Sequence, residues 1–237
     1  TWTLLGLAHH LALSIGCHVD PDMLGLDIIE KEERRRAWAG LMMLYTNQNA
    51  ALGHIGLSHT AFIASSKPPA DANDDDLRED VLPLNNPTGG ATQMTYLLLK
   101  FRLYDICAEI CANVLSKETP DLEFIHKMDD TIQNERRTWD YRLTQAIETV
   151  PMHVHHVAHL HILHSYANHL TMLLHQRQAL DSQSPFSVKH IARGRCLESA
   201  KHLLQIHATI NETPEMTPFR WYGRGVGSFH AFHAAAL

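Results

Sequence analysis

Eight of the chain's 19 histidines crowd into one stretch, at positions 153, 155, 156, 159, 161, 164, 169 and 175. Imidazole is both a metal ligand and a proton carrier near neutral pH. On a helix His155 and His159 stand one turn apart, as do His156 with His159 and His161 with His164, and such a pair can chelate a transition-metal ion. A working centre also needs a third ligand and a supporting shell, and the run holds no His-Glu-x-x-His to supply a general base. His155 and His159 are therefore candidate metal ligands, set against the plainer expectation that these histidines lie on a helix surface or pack among polar neighbours.

Other reactive residue types are sparse. Cys17, Cys107, Cys111 and Cys196 are far apart except for one helical i, i+4 pair, which suits reduced thiols buried as small apolar groups. Asp74, Asp75 and Asp76, with Glu79 and Asp80, lack the alternating ligand spacing and central glycine of a calcium loop. Gly223-Arg-Gly-Val-Gly227 resembles a nucleotide loop only faintly, because no strand precedes it. There is no G-x-S-x-G, no Walker loop and no paired nucleophile and base, so the chain reads as a non-enzyme. With 26 acidic against 20 basic side chains the formal net charge is -6, which is no nucleic-acid footprint. Lys189, Arg193, Arg195 and Lys201 make one helix locally basic, but no stacking aromatics are interleaved with them. No apolar run reaches the roughly 18 residues of a membrane helix, so no membrane partner is expected.

Apolar residues recur at three- and four-residue spacing along most of the chain, which predicts helices. From Trp2 to Ile55 two helices are expected. Leu4, Ala8, Leu11 and Ile15 share a face of the first, with Leu5 and Ala12 beside them; Trp38, Leu41, Met42, Tyr45 and Leu52 share a face of the second. Gly16 can take the left-handed conformation that ends a helix, and Asp20-Pro21 breaks the rod into a hairpin. Residues 65–90, rich in Pro, Gly, Asn and Asp, predict a flexible, solvated acidic loop. Thr92–Ser116 carries a broad stripe, Leu97, Phe101, Tyr104, Ala108, Cys111 and Leu115, that marks a central helix. Ile125, Met128, Ile132, Trp139, Leu143 and Ile147 mark a long helix whose other side, Asp129, Asp130, Glu135, Arg136 and Arg137, reads as solvated. The histidine-rich helix has the seam Leu160, Leu163, Ala167, Leu170 and Leu174. Ser187 is the expected cap of a further helix with Ile191, Cys196, Ala200, Leu203 and Ile210 inward. The fold class predicted is all-α, an irregular bundle of about six or seven helices built on the N-terminal hairpin.

The string W-LLGLA-HHLA-L-S-IGCHVDP, followed by EERRRAW and ALGHI, resembles the regulatory middle homology region of fungal binuclear-zinc-cluster transcription factors of the xylanolytic-activator type. Trp2, Gly6, Ala8, Ala12, Gly16, His18, Asp20, Glu33, Arg34, Arg35, Arg36, Trp38, Leu52 and Gly53 stand at places of that pattern. The departures are His10 for an arginine, Ala39 for a second tryptophan, Tyr45-Thr46 for Asp-Arg, and His54-Ile55 for Arg-Pro. MTYLLLKFRLYDICAEIC and the final FRWYGRGVGSFHAFHAAAL resemble later helices of the same family, less specifically.

The resemblance implies one helical regulatory domain over residues 1–237, cut from a longer protein at both ends, and a nuclear location. DNA would be bound through a zinc cluster elsewhere in that protein, since the chain's own four cysteines lack the C-x2-C start of such a cluster. Zinc is thus implied for the parent protein and no cofactor for this chain. A small-molecule effector, a coregulator protein or a second copy of the chain are the remaining partners. Trp2, Gly6, Gly16, His18, Asp20, Glu33, Arg34, Arg35, Arg36, Trp38 and Gly53 are expected to be structural, a buried aromatic pair and charges that tie the hairpin together. Against this stand a histidine-rich metal protein or hydrolase and a helical interaction scaffold, although no repeat of fixed period supports the scaffold.

Overall fold

The computed structural model describes residues 2–52, 66–78, 90–114, 121–144 and 154–236, with the side chains of Trp2 and residues 45–52 excepted. The described residues form eight α-helices and no strand, so the fold is all-α. They are α1 (Trp2–Ser14), α2 (Ile28–Leu52), α3 (Thr95–Val114), α4 (Leu122–Thr144), α5 (Val154–Leu180), α6 (Phe186–Glu212), α7 (Arg220–Arg224) and α8 (Val226–Ala235). The backbone packs as two compact units, Thr1–Asp105 and Ile106–Leu237. No helix among the described residues is long and apolar enough to cross a membrane.

In the first unit α1 and α2 form the hairpin. Gly16 ends the first arm with φ +76°, a left-handed conformation that costs a glycine little. Asp20 then caps a short 3-10 turn, Pro21–Met23, by accepting from the Asp22 amide at 3.0 Å. The buried face of α1 differs from the expected one. Leu4, Leu11 and Ile15 are exposed, whereas Leu5, His9 and Ala12 are half-buried and Cys17 is fully buried. The physical reason is Trp38 on α2, which is 4% exposed and stacks its indole on His9. That ring contact, rather than the more apolar stripe, chooses the face.

Part of the expected acidic loop is well packed. Ala72 is fully buried, and buried Asp71 accepts from the hydroxyls of Thr92 at 2.6 Å and Thr95 at 2.8 Å. A 3-10 turn at Asp74–Asp76 follows, with a capping box from Asn73. Residues 79–89, the remainder of the acidic segment, lie outside the described residues. On α3 the chain buries Lys100 beside Leu99 and Phe101. Its Nζ donates to the Tyr96 hydroxyl at 3.0 Å and lies over the Tyr96 and Tyr104 rings, and burial lowers its pKa to about 7.

In the second unit α5 is the centre. Fifteen of its residues are buried, and from Ile162 to Ala179 burial runs around most of its circumference. α6 returns antiparallel along it. Ala179 meets Ala192 and Cys196 at one end, Met172 meets Ala200, Leu203 and Ala234 in the middle, and Ala158 meets Met216 and Phe219 near the start. The small residues at these levels let the two backbones approach closely. The reversal is made by Asp181, whose carboxylate accepts from the Gln183 amide and the Ser184 hydroxyl.

The helix after this turn starts one residue before the expected cap. Pro185 occupies the N-cap position and Ser187 already lies in the helix. Ile191 is exposed, and the inward residue is its neighbour Ala192. The glycine-rich segment makes a helical break between α7 and α8. A Cβ on Gly227 would sit 2.8 Å from the Tyr222 carbonyl, so close packing explains that glycine.

On α4 every expected core position that is described, Ile125, Met128, Ile132, Trp139 and Leu143, is at most 2% exposed. The side expected to be solvated is not uniformly so, because Glu135 is buried and Asp129 is mostly enclosed. Trp139→Ala should cost about 3–5 kcal/mol, since truncating a fully buried aromatic removes its transfer free energy and leaves a cavity. Ile191→Ala should change stability by less than about 0.5 kcal/mol. Urea unfolding followed by helical circular dichroism measures both, and similar losses for the two variants would contradict this packing.

Candidate functional site

Arg34, Arg35 and Arg36 point to three different partners. Arg34 donates to the Ile15 carbonyl at 3.1 Å, closing the end of α1, and also meets Glu30 one turn back. Arg35 pairs with Asp22 at 2.7 Å and Asp20 at 3.5 Å, which fixes the Asp-Pro-Asp turn. Arg36 pairs with Glu32 at 2.9 Å and Asp74 and donates to the Ala72 carbonyl at 2.9 Å, holding the 66–78 segment. Hydrogen bonds from Lys67 and Arg35 hold the Asp22 carboxyl below the usual range.

The carboxylate expected to tie the hairpin, Glu33, is exposed; its neighbour Glu32 is 1% exposed and accepts from both Arg36 and the Ala70 amide. A buried charge needs paired donors, and the two residues face different ways on α2. His18 lies tilted against Trp38 with ring centroids 6.2 Å apart, and His9 stacks on the same indole at 5.8 Å. His9 is the residue that periodicity missed, since a histidine carries no face preference. Gly6 is exposed on α1 with open space around it. The Trp2 side chain and Gly53 lie outside the described residues.

The histidine-rich helix is α5, and His153 lies outside the described residues. His155 and His159 both pack edge-on against Phe219, at 5.2 and 6.5 Å. Among the described residues no three His, Cys, Asp or Glu side chains are gathered as a metal ion would need. Further along, the imidazoles pair with acids and with one another. His164 Nε2 lies 2.8 Å from Asp140, and His175 Nε2 lies 2.8 Å from Asp129, whose other oxygen accepts from Arg195 at 2.9 Å. Burial alone would raise the Asp129 pKa; the bonds from His175 and Arg195 outweigh it and the net direction is down.

His169 reaches His233 Nδ1 at 3.0 Å, and His233 Nε2 reaches the Gln176 amide oxygen at 3.2 Å. If both rings are neutral, His233 donates to Gln176 and accepts from His169, so the tautomers are fixed in series. His230 stacks on His169 at 4.3 Å and bonds to the Ser165 and Tyr222 hydroxyls. Burial, assisted by His233, lowers the His169 pKa to about 4.

Facing His164 is a polar cavity of about 250 Å³ between α4, α5 and α6. Arg136, Arg137 and Asp140 line it from α4, Asn168 and Thr171 from α5, and Arg195, Glu198, Ser199 and His202 from α6. Arg136 donates to the Asn168 amide oxygen at 3.3 Å, and burial lowers its pKa. Burial also lowers the His164 pKa against the pull of the Asp140 hydrogen bond, and His164 Nδ1 is buried without a hydrogen-bond partner. Of the two arginines read from sequence as part of a solvated face, Arg137 is exposed and Arg136 is half-buried, and both line this cavity.

No protein-family model matches the chain, and no solved structure matches it significantly. It is 24% identical over 239 residues to an uncharacterized transcriptional regulatory protein of Schizosaccharomyces pombe, an alignment covering 96% of this chain and 34% of that protein. A Zn(2)-C6 fungal-type transcription factor of Monascus ruber is 27% identical over 141 residues, 58% of this chain and 17% of the factor. The pyriculol/pyriculariol biosynthesis cluster transcription factor 1 of Pyricularia oryzae is 30% identical over 98 residues, 41% and 13% of the two chains. The homologues are therefore fungal transcription regulators, a Zn(2)-C6 factor among them, and the chain spans about a third of the length of the first.

Two stability tests follow from the buried charges. Arg36→Met should cost about 3 kcal/mol by leaving the buried Glu32 carboxylate without its guanidinium partner, read as a lower urea midpoint; a loss under about 0.5 kcal/mol would contradict that pairing. His169 has a folded pKa below its unfolded value of 6.5, so the folded state takes up its proton later than the unfolded state. Its contribution is complete above pH 6.5 and is withdrawn as pH falls to about 4, on the order of 3 kcal/mol in all. His169→Gln should flatten the stability profile over that window, and an unchanged slope would rule out this role.

Proposed function

We propose that residues 1–237 form the regulatory region of a fungal zinc-cluster transcription factor, acting in the nucleus, with DNA read by a zinc cluster elsewhere in the protein. The observation that carries this reading is the alignment with the S. pombe regulator, which takes in 96% of this chain but only 34% of that protein. The chain is thus equivalent to about a third of a transcriptional regulator. The zinc-cluster assignment is supported by the Monascus factor and by the ordered matches along the hairpin.

The charge distribution fits a part that does not itself grip DNA. The net charge is -6, and Arg34, Arg35, Arg36 and Arg195 are each paired with carboxylates. What such a region does physically is hold two helical packings a few kcal/mol apart, one of them favoured by an effector or coregulator. Zinc then belongs to the parent's cluster, because the four thiols here, three of them buried, do not fit one.

Deleting the equivalent of residues 1–237 from the full regulator should change reporter transcription at its target promoter by about fivefold or more, with an increase expected for an inhibitory region. Unchanged output, together with tight DNA binding by the isolated chain at physiological salt, would overturn the assignment.

A further inference from the structure

We propose that the polar cavity between α4, α5 and α6 binds a small carboxylate metabolite carrying a hydroxyl or amino group, with the Arg136 guanidinium as anchor. The carboxylates around the cavity are largely committed. Asp129 is held by Arg195 and His175, and Asp140 accepts from His164. Arg136 donates to the neutral amide of Asn168, and Arg137 to that of Asn134 at 3.1 Å. Two successive guanidiniums therefore spend donors on uncharged acceptors, whereas a guanidinium fork matches a carboxylate with two parallel charge-assisted bonds.

The rest of the wall sets the class of ligand. Asp140 and Glu198 lie beside the arginines, so a bare polyanion is disfavoured and a ligand that also offers hydroxyl or ammonium donors is matched. His164 also lines that wall, with its Nε2 held by Asp140. Among the described residues no Phe, Tyr or Trp lines the cavity, so none offers the stacking platform a nucleobase would use. A volume of about 250 Å³ suits a metabolite of a few carbons rather than an extended apolar effector. The regulatory consequence of such binding rests on the proposed function; the binding itself does not.

Isothermal titration of the 237-residue chain with L-malate, citrate and L-glutamine tests the site, with malamide as the uncharged control. At least one carboxylate should bind, and malamide should not. Arg136→Gln should weaken binding about tenfold or more, consistent with loss of a charge-assisted contact, while Arg136→Lys, which keeps the charge but not the fork, should weaken it less. Arg224→Gln, at an exposed position at the end of α7, should leave affinity unchanged. Circular dichroism of each variant confirms that it is folded. Failure of all three probes, or equal weakening by Arg136→Gln and Arg224→Gln, would overturn the proposal. The same variants in the full regulator separate the two claims: binding without any reporter response to the metabolite keeps the site and removes its regulatory use.

Discussion

A helix buried around most of its circumference leaves a polar side chain unsatisfied only at a cost, and α5 carries many. Between Ile162 and Ala179 it encloses Ser165, Asn168, His169, Thr171, His175 and Gln178 along with its leucines. Each such group costs free energy unless it finds a partner, about 1–3 kcal/mol when it does not. The neighbouring helices are placed where they can supply those partners. Asp129 and Asp140 on α4 meet His175 and His164, Arg195 on α6 completes the pair at Asp129, and His230 and His233 on α8 meet Ser165 and His169. The second unit is thus specified by polar matching laid over an apolar seam, in which these histidines serve as hydrogen-bonding partners.

The first unit solves a smaller version of the same problem with arginine. A hairpin buries one stripe on each arm and needs something to fix the angle and the turn. Three successive guanidiniums on α2 fan out over successive directions around the helix, which lets one short motif hold the end of α1, the Asp-Pro-Asp turn and the 66–78 segment together. Long planar donors do this better than lysine would, because each can reach a carboxylate and a backbone carbonyl at once.

The helices themselves were legible in the sequence, and so was the apolar face of α4, whose residues at Ile125, Met128, Ile132, Trp139 and Leu143 repeat at helical spacing. Faces were misread where a ring contact or a small residue outbids a larger apolar one: His9 on Trp38 turns Leu4 and Leu11 outward, and Ala192 lets α6 lie close to α5 while Ile191 faces out. Buried charge was not legible at all. Asp129, Glu135, Glu32 and Lys100 look like surface residues in any window of sequence; the partners of Asp129, His175 and Arg195, lie on other helices, and Glu32 accepts from the distant Ala70 amide as well as from Arg36 one turn along. The anion-binding character of Arg136 was hidden for the same reason.

The cavity is one place where the polar matching of the second unit is incomplete. Its walls belong to the three helices whose contacts satisfy α5, yet Arg136 there faces an amide and His164 retains a buried nitrogen without a partner. A ligand that supplied the missing acceptor would add contacts to α4, α5 and α6 together, and so would stabilise one packing of these helices over any looser alternative. Arg136 is half-buried and bonded to a neutral amide, so a carboxylate would give it a charge-assisted contact that it otherwise lacks. For a regulatory region that is a means of making the packing depend on a small molecule, since the contact exists only when the molecule is bound.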